Sequence, residues 1–205
     1  MRLTDFLNPE AIVTGLGTLG VVLTLFVEVG LLIGLVLPGD SLLFVAGLAA
    51  GTDALGFQLS LFALLIFCPL AAFIGSELGY FIGARYGRSL FDRPDGRIFN
   101  QERVRYAEEW FNRYGPGKAI IFGRYIPIVR TLMSPLAGIL KMDKKKFTLW
   151  NALSALIWTS SILIIGFLLG ERVSGSIDKY LLPIVLTLIL VSMIPVLREL
   201  LKKKK

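Results

Sequence analysis

The sequence predicts an all-α integral membrane protein with about four transmembrane helices and a cytoplasmic amphipathic helix. Two opposed re-entrant helical hairpins, in an inverted-repeat arrangement, complete the expected fold. Three observations predict it. A mean hydropathy of +0.70, with 55% hydrophobic residues, leaves too little polar surface to clothe a water-soluble domain. Several apolar stretches approach the roughly 20 residues needed to cross the hydrocarbon. The basic residues fall in clusters between those stretches, as orientation in a membrane requires.

The first expected span is Ile12–Val29, rich in glycine and carrying Glu28 near its end. What precedes it does not read as a signal peptide: Arg2 is followed by Asp5 and Glu10, and no small-residue cleavage site follows at the usual distance. Leu31–Leu37 and Leu42–Ala50 are each too short to cross, and Pro38-Gly39-Asp40-Ser41 breaks the helix between them. Residues 31–50 are therefore expected to dip into the bilayer and return, with Pro38 and Gly39 as the breakers. Leu59–Gly83 is the second span. Within the basic segment that follows, Gln101–Tyr114 reads as an amphipathic helix, with Val104, Ala107, Phe111 and Tyr114 at helical spacing. It fits equally a lid packed on the bundle and a helix lying against lipid. Gly115-Pro116-Gly117 ends it.

Ala119–Leu140 is long enough to cross but contains Arg124, Pro127, Arg130 and Pro135, so it is expected to form the second hairpin. Non-helical backbone at membrane depth is tolerated only under a cover of protein or in a wet cavity. Phe147–Gly170 and Leu181–Leu197 supply the last two spans. The chain then reads as one membrane domain, 1–205, with repeats at 12–83 and 119–197 joined by the segment 84–118 and followed by the tail 198–205. Short interrupted segments in corresponding positions of two halves are the pointer to an inverted-repeat transporter.

Of the 22 Lys and Arg, eight lie between Arg85 and Lys118, four in Lys141–Lys146 and five from Arg198 to Lys205. With the N-terminus inside, this arrangement puts all three clusters and both termini in the cytoplasm. The net charge of +7 thus reports orientation and attraction to anionic lipid, not nucleic-acid binding. Histidine is absent and the single cysteine, Cys68, lies in a span. Histidine-dependent phosphatases, imidazole-ligated metal hydrolases and intrachain disulfides are thereby excluded, and neither a metal nor a cofactor is expected. No nucleophile–base pair or phosphate-binding glycine loop is visible, so the chain does not read as an enzyme.

The charges inside apolar segments carry the functional reading. An intramembrane arginine costs from about 2.5 to over 10 kcal/mol, so Arg124 and Arg130 need a partner, a wet cavity or a ligand. They are six residues apart, about 120° from alignment on an unbroken helix, and Pro127 bends the path so that both can face one cavity. The guanidinium fork suits phosphate or carboxylate. The alternative is that they snorkel to the interface or pair with structural carboxylates. Glu28 and Asp40 are the expected counter-charges and proton carriers, against the alternatives of an interfacial Glu28 and of an Asp40 that merely caps the helix from Leu42. Glu77, between Gly75 and Gly79, is a weaker, secondary candidate, for which an interfacial position is the better reading. Ser41, Tyr125 and Thr131 are secondary candidates beside the charged positions.

EVGLLIGLVLPGDSLL (28–43), GSELGYFIGARYG (75–87) and FGRYIPIVRT (122–131), in that order, closely resemble the DedA family of bacterial membrane proteins, within the broader VTT or SNARE-associated group. The resemblance covers roughly residues 12–170. It implies an inner-membrane protein with two opposed re-entrant hairpins that moves lipid phosphates between leaflets. The substrates implied are undecaprenyl phosphate or a phospholipid such as phosphatidylethanolamine, with coupling to the proton motive force. It also implies that the essential acidic pair falls on Glu28 and Asp40 and the essential arginines on Arg124 and Arg130. The residues admit two further readings: a proton-coupled small-ion antiporter, and a non-transporting scaffold whose charges only lock the bundle.

Overall fold

Described in a computed structural model, residues 9–30, 39–52, 58–91 and 101–173 fold into seven helices with no strand among them. They are α1 (Pro9–Gly30), α2 (Gly39–Gly51), α3 (Leu61–Phe91), α4 (Gln101–Tyr114), α5 (Pro116–Gly123), α6 (Pro127–Ile139) and α7 (Lys144–Val173). The expected span Leu181–Leu197, the basic tail and Pro38 lie outside the described residues.

Among the described residues two helices are long and apolar enough to cross a membrane, Leu61–Tyr86 within α3 and Lys144–Arg172 within α7. Both outrun the apolar runs that announce them. Ser60 starts α3, its hydroxyl accepting from the Ala63 amide at 3.3 Å. Asp143 starts α7 in the same way, accepting from the Lys146 amide at 3.0 Å. Such caps satisfy the free amides of a first turn. Large apolar side chains stay exposed along both helices, Phe62, Ile66 and Phe81 on α3 and Leu149, Leu156 and Ile165 on α7. A surface of that kind suits lipid, not water.

The first expected span is not a continuous helix. Gly17 sits at φ 57°, ψ −145° inside α1, a conformation open to glycine because it has no Cβ. Helix α2 also differs from expectation. It begins at Gly39, so Asp40 belongs to its first turn and is not the residue preceding a helix that starts at Leu42. Helix α4 has the expected bounds, and Gly115 follows it at φ 74°.

The chain divides into two compact units. In one, α2 packs against the C-terminal part of α7. Residues 41–50 are all buried, and a Cβ at Gly47 would lie 2.3 Å from the Leu163 carbonyl oxygen. In the other unit, the end of α1 and the remainder of α3 join α4, α5, α6 and the start of α7. Its core brings together Phe111 of α4, Ile120 of α5, Val129 and Met133 of α6, and Phe147 of α7. The lid reading of α4 is therefore the one its Phe111 edge follows. Tyr80 of α3 stacks on Phe147 with ring centroids 4.6 Å apart and donates to the Met142 carbonyl at 2.6 Å.

Helix α6 lies against α3 so closely that a Cβ on Gly83 would fall 2.0 Å from the Pro135 carbonyl oxygen. Backbone cannot yield as a side chain can. Gly83→Leu is expected to destabilise the protein by about 3 kcal/mol or more, whereas Ala84→Leu, at an exposed position, leaves the thermal midpoint of the detergent-solubilised protein unchanged.

Candidate functional site

The break between α5 and α6 creates the site. Ile126 precedes a proline, and the clash of the ring with its backbone holds it extended, at φ −110°, ψ 110°. Pro127 then opens α6, where its missing amide is not needed. Arg124 is the residue that closes α5, and Arg130 lies in the first turn of α6. The 120° offset of an unbroken helix is thereby removed. Both guanidiniums face the ring of Trp158, with Cζ 5.7 Å from its centroid for Arg124 and 4.7 Å for Arg130. That is within the range of a cation–π contact, strongest with tryptophan.

Neither arginine snorkels. Arg124 is 5% exposed, Arg130 8% and Glu28 1%. Arg130 Nη2 donates to Glu28 Oε1 at 2.8 Å, a buried ion pair. The close crossing of α1 and α3 brings Glu28 inward: a Cβ on Gly75 would sit 3.0 Å from the Gly30 nitrogen.

Arg124 is held differently, by neutral oxygens. Its Nε donates to Ser154 Oγ at 2.8 Å, and its Nη2 donates to Ser76 Oγ at 2.8 Å and to Asn151 Oδ1 at 2.5 Å. Its Nη1 is buried without a hydrogen-bond partner among the described residues. Asn151 Nδ2 donates in turn to the Phe73 carbonyl at 3.1 Å and to Glu77 Oε1 at 2.9 Å. Thr148 Oγ1 donates to Glu77 Oε2 at 3.2 Å. Glu77 is thus half-buried and tied to the site through Asn151.

A small cavity opens among Ser76, Arg124, Arg130, Met133, Ser134 and Asn151. At about 10 Å³ it has room for roughly one water molecule. Of the other candidates, Tyr125 is 48% exposed and Thr131 is buried, and neither lines the cavity. Asp40, half-buried, and Ser41, buried, belong to the other compact unit, as does Gly39 at the start of α2. No group of three or more potential metal-ligating side chains occurs among the described residues.

Ser76, Asn151, Ser154 and Trp158 escape a reading based on charge. Asn151, Ser154 and Trp158 follow one another at i, i+3 and i+7 on α7, a one-faced polar stripe that helical periodicity alone exposes.

A family model for the VTT domain matches residues 37–168. The protein DedA of Escherichia coli (strain K12) is 32% identical over 183 residues, 89% of this chain and 81% of that protein. An uncharacterized membrane protein of Mycobacterium tuberculosis (strain H37Rv) is 33% identical over 178 residues, 87% of this chain and 76% of that one. The inner membrane protein YqjA of Escherichia coli (strain K12) is 31% identical over 150 residues, 72% of this chain and 64% of that protein. No solved structure matches significantly.

Proposed function

Because the chain belongs to the DedA family of VTT-domain membrane proteins, we propose that it transports a lipid phosphate between the leaflets of a bacterial inner membrane. The observation that carries this reading is the burial, in one place, of two guanidiniums facing a cavity. One of them keeps a nitrogen without a partner among the described residues. A buried donor left unmade costs about 1–3 kcal/mol, and more when charged, so such an atom is retained where something binds. The ligand class is an oxyanion, and a polyprenyl phosphate or a phospholipid presents one at the membrane surface with its tail remaining in the bilayer. The site is assigned binding and release, with no covalent step.

The cavity is too small for a phosphate group, so this conformation is a closed one and loading requires the helices around it to part. Protonation of Glu28 removes the charge that Arg130 pairs with and so favours parting. A proton gradient would then give the cycle a direction, with Asp40 as the second proton-carrying carboxylate. Two opposed re-entrant hairpins, one around α2 and one formed by α5 and α6, and cytoplasmic termini complete the reading. The basic clusters Arg85–Lys118 and Lys141–Lys146 support that orientation.

The size of the cavity favours a second reading, a proton-coupled antiporter of small ions. Purified protein in liposomes separates the two. Faster leaflet exchange of a fluorescent polyprenyl monophosphate is expected. Ion flux with no lipid exchange would replace the first reading with the second.

A further inference from the structure

Arg124 offers five N–H donors in a fixed plane. Three of them are committed: Nε to Ser154, and both hydrogens of Nη2 to Ser76 and Asn151. The direction in which the remaining nitrogen points is therefore set by three neutral side chains. Asn151 is the one whose own orientation is ambiguous, because an amide can present either its oxygen or its nitrogen. Two acceptors behind it, the Phe73 carbonyl and Glu77 Oε1, both demand its NH₂. A reversed amide would set oxygen against two oxygens and NH₂ against a guanidinium. Glu77 itself is steadied by Thr148.

Resting on the transport reading above, we infer that Ser76, Ser154 and Asn151, the last locked by Glu77, are positioning residues that hold Arg124 so that its Nη1 meets the ligand's oxyanion. Glu77 acts here as a hydrogen-bond acceptor, not as a charge. It belongs to a second tier that touches no ligand. This role is separate from that of Glu28, whose carboxylate faces Arg130 directly.

The distinction between acceptor and charge is measurable. Glutamine at position 77 keeps a carbonyl for Asn151, and the Thr148 hydroxyl can turn to accept from its amide. Leucine removes the acceptor and frees the Asn151 amide to rotate. Binding of a short-chain polyprenyl monophosphate to the full-length protein in detergent micelles, followed by calorimetry, is the readout. Glu77→Leu is expected to weaken binding about 10-fold, the loss of one charge-assisted hydrogen bond at the guanidinium. Glu77→Gln should restore affinity to within about 3-fold of wild type, the scatter of such contributions. Ser154→Ala, a smaller change in volume that leaves the buried Arg124 Nε without its acceptor, should weaken binding to a similar degree as Glu77→Leu and lower the thermal midpoint modestly.

Equal losses in Glu77→Gln and Glu77→Leu, or full affinity in both Glu77→Leu and Ser154→Ala, would overturn the inference while leaving the transport reading in place. The expected pattern of binding without lipid exchange in liposomes would overturn the transport reading alone. Failure of the wild type to bind the probe would overturn both.

Discussion

Arg130→Ala is expected to abolish lipid exchange in proteoliposomes and to lower the thermal stability of the protein at the same time. The reason lies in what the substitution leaves behind. Glu28 is 1% exposed and its Oε1 accepts from Arg130 Nη2 at 2.8 Å, so removing the guanidinium strands a carboxylate in a buried position. Breaking a buried pair from one side costs about 3–5 kcal/mol, equivalent to a loss of about 100-fold or more. The double variant Arg130→Leu with Glu28→Leu carries no stranded charge, and packed apolar replacements of buried pairs are often neutral or stabilising. It is expected to recover most of the thermal midpoint and none of the transport. That separation distinguishes a transport site from a structural lock. The reversed pair, Glu28→Arg with Arg130→Glu, is the sharper check. If the pair only locks the bundle, the exchange restores function. If the guanidinium at 130 also faces a ligand and the indole of Trp158, it does not.

The sequence discloses breaks and buried charge better than it discloses partners. The break at Ile126-Pro127 is legible because a proline constrains the residue before it wherever it occurs. The bounds of α4 are legible because its apolar positions recur at helical spacing and glycine follows. Burial of Arg124 and Arg130 is legible as well, since charges inside apolar segments must find an interior solution. Which groups supply that solution is another matter. Glu28 and Arg130 are 102 positions apart, and nothing local in either segment points to the other. An expectation built on counting opposite charges gives both arginines carboxylate partners. Among the described residues Arg130 pairs with Glu28, while Arg124 rests on two serines and an asparagine. Neutral polar residues are common in membrane helices, where they bond across to neighbouring helices, so Ser76 and Asn151 carry little signal by themselves. The link from Glu77 is hidden for a related reason: its distance from the helix end suggests an interface, and its bond to Asn151 is not legible from that distance. Gly17 gives a third instance: glycine in an apolar run is compatible with a continuous span, and the backbone angle that breaks α1 is not written in the residue.

Arg124→Lys isolates geometry from charge, and the expected result is a loss nearly as large as removal of the side chain. Lysine keeps the positive charge at almost the same reach, but its ammonium is a point with three donors, whereas the guanidinium is a plane with five. The surroundings of Arg124 are arranged for the plane. Ser154 Oγ receives Nε, Ser76 Oγ and Asn151 Oδ1 receive Nη2, and Nη1 is left without a hydrogen-bond partner among the described residues. An ammonium that satisfied the three oxygens would have no donor remaining for a ligand. One turned toward a ligand would abandon part of the cradle in a buried setting. Either arrangement forfeits one or two hydrogen bonds involving a charged group, each worth about 1.5–3 kcal/mol, so transport should fall by about 10- to 100-fold or more. Thermal stability should change much less than in Arg130→Ala, because no carboxylate is stranded by the exchange. Stopped-flow measurement of leaflet exchange alongside thermal melting provides both numbers on the same preparation. Near-normal exchange with lysine at position 124 would mean that a positive charge suffices there, and that the planar cradle on α3 and α7 serves packing alone. A loss in exchange without a loss in melting temperature would instead tie the function of the site to the one guanidinium nitrogen that its neighbours leave open.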